Sequence, residues 1–178
     1  ILRRAVAHIE ARVYELGAVL ALEVGKNRME ALGEAQETAD LIAWYCDQME
    51  ANDGYVRAML RDPLPGFVSE NTSVLRAHGP WLVIAPFNFP GMIPFWYLPY
   101  AIAAGNTYIV KPSEKVPMTM QFIFKLIEQI GLPKGVINMV NGAKDTVDGI
   151  LEHPAIRAIT FVGSTNVAKY IYSTAAFH

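Results

Sequence analysis

The sequence predicts an α/β fold, a parallel β-sheet with helices on its faces, preceded by a pair of N-terminal helices. Three observations carry this. From Trp81 onward, short apolar runs alternate with helix-length segments, four times over, at spacings of ~20–30 residues. Those runs are near-continuously apolar, as strands covered on both faces must be. Upstream, apolar residues recur at helical rather than strand spacing and end on turn signals.

Residues 1–25 read as one amphipathic helix, with Leu2, Val6, Ile9, Val13, Leu16 and Leu20 on one face and Gly25 closing it. A second helix is expected over 30–52, with Ala35, Ala39, Ile42, Tyr45 and Met49 as its stripe and Asn52-Asp53-Gly54 as its stop. Residues 54–73 read as irregular, with the loop Asp62-Pro63-Leu64-Pro65-Gly66. Residues 73–77 and 81–85 then read as two strands joined by a short connection, a pair that could serve as an assembly surface. The four strand–helix units follow: strand 82–85 with helix 92–104, strand 107–110 with helix 117–130, strand 136–140 with helix 143–151, and strand 158–162 with helix 164–174. The chain thus divides at residue 80, with 1–80 as helices plus connecting strand and loop, and 81–178 as the β/α core.

Composition narrows the function. With 52% hydrophobic and 18% charged residues, the 178-residue chain is long and apolar enough for a packed core. A net charge of −2 gives no electrostatic footprint for nucleic acid or an anionic membrane. No apolar window reaches the ~18 residues of a membrane span. One cysteine, Cys46, excludes an internal disulfide framework and a Cys-rich metal site. That suits a reducing compartment. No leader peptide is visible; both ends look cut from something longer, and the cytoplasm is the expected location, with the mitochondrial matrix open.

Each strand ends in a distinctive turn: Pro86-Phe87-Asn88-Phe89-Pro90, Lys111-Pro112-Ser113-Glu114, Asn141-Gly142 and Gly163-Ser164. Right-handed crossovers bring all four to one sheet edge, the usual ligand crevice of such sheets. In the first turn two prolines stiffen the backbone around one amide. Asn88 is therefore either an oxyanion donor or an Asx-turn residue bonded to its own backbone. Lys111 and Glu114 can meet a nucleotide ribose, or form a surface ion pair worth ~0–1 kcal/mol. Gly163-Ser164 can receive a phosphate at a helix start, or be a plain serine N-cap. Neither glycine-rich phosphate-loop fingerprint occurs. Cys46 lies in a helix far from these turns and reads as inert. His8, His78, His153 and His178 have no partners at ligand spacing and read as structural.

Taken in order and spacing, Pro86–Pro90, Ala104-Gly105-Asn106-Thr107, Val110–Glu114, Asn141-Gly142 and Phe161-Val162-Gly163-Ser164 resemble the NAD(P)-dependent aldehyde dehydrogenase superfamily. Glu23-Val24-Gly25-Lys26 extends the likeness into the leading helices, so it covers nearly the whole chain. The resemblance implies a Rossmann-like cofactor domain and NAD-dependent oxidation of an aldehyde through a cysteine thioester. It implies that Asn88 stabilises the oxyanion, and that Ile84, Pro86 and Phe87 line the nicotinamide end. Lys111 and Glu114 would bind the adenosine ribose, with Ser113 in the same turn. Glu114 would favour NAD over NADP, since a 2′-phosphate would meet its charge. Gly142 would lie by the adenine, Gly163 and Ser164 by the pyrophosphate, and Val167 against the adenine. The family's nucleophilic cysteine and its glutamate base belong to sequence beyond the last helix. Cys46 does not match that motif, so these 178 residues are expected to be inactive alone; at full length the protein is expected to be a homo-oligomer.

Two substrate classes compete within the resemblance. Residues 92–100 and 105–113 are similar to methylmalonate-semialdehyde dehydrogenases, which make CoA thioesters; malonate semialdehyde belongs with that class. Residues 23–30 and 62–66 are similar to pyrroline-5-carboxylate (glutamate-semialdehyde) dehydrogenases. The rival to either is a non-catalytic nucleotide-binding or assembly module on the same fold.

Overall fold

The computed structural model describes residues 1–177; His178, read above as structural, lies outside the described residues. Helices α1 (Leu2–Glu10), α2 (Val13–Val24) and α3 (Arg28–Ala51) come first. Strands β1 (Val56–Ala58) and β2 (Thr72–Val74) form an antiparallel ribbon. The core then runs β3 (Pro80–Ile84), α4 (Met92–Phe95), α5 (Leu98–Ala103), β4 (Thr107–Lys111), α6 (Met118–Ile127), β5 (Ile137–Met139), α7 (Lys144–Leu151), β6 (Ala158–Phe161) and α8 (Thr165–Ala175).

The four core strands are parallel in the order β5-β4-β3-β6. Side chains alternate across β3. Val83 enters the larger core under the N-terminal helices, with Phe95, Leu98, Tyr108, Val110, Met120 and Ile123. Leu82 and Ile84 enter the smaller core beneath α7 and α8, with Leu151 and Ile171. Both faces are therefore covered, which is why the strands read as unbroken apolar runs. Asn106 is buried and fastens the entrance of β3: its Oδ1 accepts from the amides of His78 (2.6 Å) and Gly79 (3.0 Å), and its Nδ2 donates to Ala101 O at 2.9 Å.

Four expectations need correction. The first helix is two, broken at Arg12, whose φ −121°, ψ 19° leaves the helical region. The bend lays both halves on α3, with Ile9, Leu16 and Leu20 completely buried. Arg12 pairs with Glu15 and stands over the Phe122 ring of α6. No glycine or proline marks this break, so the spacing reads straight through it. The expected helix over 92–104 is split at Trp96-Tyr97. Pro99 sits in the first turn of α5 and has no N–H for the carbonyl four residues back. At the break itself the carbonyl of Trp96 accepts from Tyr45 Oη at 2.7 Å.

The expected pairing of residues 73–77 with 81–85 does not occur. β2 pairs with β1, in the register Val56↔Val74, inside the stretch read as irregular. The turn Asp53–Tyr55, with Gly54 at φ 62°, redirects the chain into β1. The second helix begins two residues before its expected start. Asn27 caps it by accepting from the Glu30 amide at 3.0 Å.

Candidate functional site

Register builds the site. Ile84 is level with Lys111 and with Phe161, and Val110 with Met139, so the carboxyl ends of the strands stop together. The turns that follow β3, β4 and β6 converge on one cavity of about 520 Å³. Every cofactor or oxyanion residue expected from the sequence lines it except Gly142: Ile84, Pro86, Phe87, Asn88, Lys111, Ser113, Glu114, Gly163, Ser164 and Val167. Phe161 and Val162 of the β6 end also line it, unforeseen.

Asn88 is exposed, and its amide makes no hydrogen bond among the described residues. The Asx-turn alternative therefore loses its requirement, a bond from the side chain to the neighbouring backbone. Phe87, beside it, is 57% exposed, with the Lys115 ammonium 5.7 Å from its ring centroid, which bridges the first and second turns.

Lys111 is not a surface residue. Its side chain is 4% exposed, while that of Glu114 is 51% exposed, and the two meet at only 3.4 Å. A buried ammonium with one long contact is under-satisfied, and its remaining donors are available to acceptors in the cavity. The Glu114 carboxyl is held below the usual carboxylate range chiefly by its own backbone amide, which outweighs the opposing effect of burial, with a lesser contribution from the Lys111 charge. It is therefore a charged acceptor at neutral pH. Ser164 occupies the N-cap position of α8 with extended backbone (φ −71°, ψ 151°), but its hydroxyl makes no capping bond. The plain-cap reading leaves that hydroxyl unexplained. Ser164 lines the cavity at the positive end of an eleven-residue helix.

A second cavity, of about 450 Å³, opens beside the first and shares Ile84, Lys111, Glu114 and Val167 with it. Its outer wall is α7 and α8: Val147 and Ile171 below, and a polar cluster at the rim. There Asp148 accepts from Lys144 and from Tyr170 Oη at 2.8 Å, and both bonds hold its carboxyl below the usual range. These residues escaped the sequence reading, because only the packing of α7 on α8 brings Asp148 and Tyr170 together. Gly142 lines neither cavity; its neighbours Ala143 and Lys144 line the second. Its φ of +152° and a Thr146 side chain, Cβ 2.6 Å from where a Cβ on Gly142 would stand, leave no room there for a side chain.

Cys46 lies away from both cavities, beside Ile1, Met49 and Ile102, and burial pushes its thiol up. A thiol so raised is a poor nucleophile at neutral pH. His153 Nδ1 accepts from the Ala155 amide at 3.2 Å, a local structural role. Among the described residues no three His, Cys, Asp or Glu side chains gather as a metal site, and no helix is long and apolar enough to cross a membrane.

All residues from 1 to 178 match the family model described as "Aldehyde dehydrogenase family". Malonate-semialdehyde dehydrogenase of Bacillus subtilis (strain 168) is 44% identical over 160 residues, 89% of this chain and 31% of that protein. That of Halalkalibacterium halodurans is 42% identical over 166 residues, 92% of this chain and 33% of that protein. A solved lactaldehyde dehydrogenase superimposes with a TM-score of 0.89 at 29% identity, over 99% of this chain and 36% of that one. A Sinorhizobium meliloti 1021 protein assigned as a methylmalonate-semialdehyde dehydrogenase, complexed with NAD, superimposes with a TM-score of 0.84 at 36% identity, over 99% and 35%. The chain spans about a third of the length of these curated relatives.

Proposed function

The chain belongs to the aldehyde dehydrogenase family, and we propose that it is the cofactor-binding part of an NAD-dependent semialdehyde dehydrogenase and supplies the oxyanion donor. The observation that carries this is the single cavity on which Asn88, Lys111, Glu114 and Ser164 converge from three different turns. The residues present suit NAD. Lys111 has donors to spare, Glu114 is a charged acceptor for ribose hydroxyls, and the Ser164 hydroxyl is unspent at a helix start. NAD, when bound, accepts the hydride of the aldehyde. Ile84, Pro86 and Phe87 would hold the nicotinamide end, Gly163 would let the pyrophosphate approach, and Val167 would take the adenine side, with Gly142 in the turn beyond. The ionised Glu114 disfavours a 2′-phosphate and so NADP.

Asn88 donates its amide N–H to an oxygen that gains negative charge when a thiol adds to the aldehyde. The thiol is a cysteine outside these 178 residues, since Cys46 is remote and its pKa is raised. These residues alone are then inactive, and residues 1–80 and 81–178 act as two parts of one cofactor unit. Exposed apolar side chains on the β1–β2 excursion, Met59, Leu60, Leu64, Phe67 and Val68 among them, suit it for assembly of a homo-oligomer.

Glu114→Gln is expected to weaken NAD binding about tenfold, the loss of a hydrogen bond to a charged acceptor. Titration calorimetry measures it, and unchanged affinity would remove the ribose assignment. The relatives' names favour malonate or methylmalonate semialdehyde as substrate over glutamate semialdehyde, and CoA is the acyl acceptor that goes with this reading. The decisive experiment gives the intact protein each aldehyde, with and without CoA, and follows NADH. Faster turnover of malonate or methylmalonate semialdehyde with CoA is the expected result. Preference for glutamate semialdehyde would move the substrate class. No NADH from any aldehyde would leave the non-catalytic nucleotide-binding module.

A further inference from the structure

Glu34 takes no part in the chemistry above, yet it is the most deeply placed acidic group in the molecule's larger core region. Its side chain is 0% exposed. Oε1 accepts from the amides of Gly91 at 2.8 Å and Met92 at 3.2 Å. Oε2 takes the Lys26 ammonium at 2.5 Å, and the Lys26 side chain is itself only 9% exposed. The same ammonium stands 3.3 Å from the centroid of the Phe89 ring. Three of the four residues that follow Asn88 are therefore gripped by one ion pair from the N-terminal helical segment. Glycine at 91 suits the grip, because a Cβ there would lie 3.3 Å from Glu34 Oε1 and make the carboxylate give by a few tenths of an ångström.

Among the described residues no other side-chain hydrogen bond reaches residues 86–92, and Lys115 meets the turn only at the exposed Phe87 ring. The amide of Asn88 itself is unbonded and the side chain is exposed. Pro86 and Pro90 fix local φ angles but do not fix how the turn sits over the sheet. An apolar pair of equal volume could fill the space beneath at little cost in stability, but would leave the first amides of α4 without an acceptor. We infer that Lys26 and Glu34 are positioning residues for the Asn88 turn, setting the direction in which its amide meets the reacting oxygen. The inference rests on the reading of Asn88 as oxyanion donor. A catalytic group displaced by about 1 Å can cost up to ~10²-fold in rate, so the fixture has a measurable effect.

The test uses the intact dehydrogenase. Lys26→Met/Glu34→Leu, which strands no buried charge but removes the acceptor of the Gly91 and Met92 amides, should lower kcat about tenfold and leave the KM for NAD within about twofold. Lys26→Arg, which keeps a cation for both Glu34 and Phe89, should restore kcat to within about threefold of the parent. Glu23→Gln is the control for a weakened helix cap, since Glu23 accepts from the Met118 and Thr119 amides at the start of α6 and should leave kcat within about twofold. Hydrogen exchange reads the same effect without aldehyde chemistry: residues 84–95 should exchange at least about fivefold faster in the double variant, with β6 unchanged. If Asn88→Ala lowers kcat while the double variant changes neither kcat nor exchange, the positioning role is overturned and the Asn88 reading stands. If kcat falls only in step with melting temperature, in Glu23→Gln as much as in the double variant, the role is merely structural. If Asn88→Ala itself has no effect, the oxyanion reading fails and takes the inference with it.

Discussion

Replacing Asn88 by alanine in the intact dehydrogenase is expected to lower kcat by about 10²–10³-fold, the range found when one preorganised oxyanion donor is removed. The KM for NAD should stay within about twofold, because the residues assigned to the ribose and pyrophosphate stand on other turns, Lys111 to Glu114 and Gly163-Ser164. Stability should be unaffected: the side chain is exposed and bonds to nothing among the described residues. That combination separates a chemical role from a structural one. Steady-state kinetics beside a thermal melt tests it, and a kcat within about threefold of the parent would end the oxyanion assignment. Asn88→Asp should be at least as damaging, since it places a negative charge where negative charge must develop.

Much of this site was legible because parallel strands leave strong local signatures. The runs that became β3, β4 and β6 are apolar on both faces, and their carboxyl ends are marked by residues that cannot continue a strand: Pro86, Pro112 and Gly163. Parallel register then aligns those ends without any long-range information from side chains. Burial and bonding, quantities with no trace in spacing, bear on the alternatives at three of the turns. Lys111 reads as a surface cation until its side chain is found 4% exposed, and Ser164 reads as a cap until its hydroxyl is found unspent. What spacing hid was set by tertiary packing. The break at Arg12 has no local breaker, and the partner of β2 lies across a long loop. Glu34 is one acid among several on a polar helix, and it meets its acceptor-seeking amides 57 and 58 residues later. The Lys26 signal was present in the family-like Glu23–Lys26 stretch, but only as a motif, with no target for the charge.

The largest effect on stability is expected at Lys26. Lys26→Met should destabilise the protein by about 3–5 kcal/mol, because it leaves the Glu34 carboxylate buried without its counter-charge. The two backbone amides that remain on Oε1 offset part of the desolvation, which places the expectation at the lower end of that range. Adding Glu34→Gln should recover most of the loss, since the amide oxygen still accepts from Gly91 and Met92 and no charge is stranded. Arg3→Met is the surface comparison. Arg3 pairs with Asp47 and Glu50, but all three side chains are 45% exposed or more, so its removal should leave the unfolding midpoint within error. Equilibrium urea unfolding of the four proteins gives the result directly. A Lys26→Met protein as stable as Arg3→Met would mean that Glu34 reaches solvent or a proton in the folded state. In that event the pair could not hold the Asn88 turn. With the loss and its recovery both observed, the N-terminal helices become more than packing for the sheet: through one buried charge pair they hold the backbone on which the oxyanion donor stands.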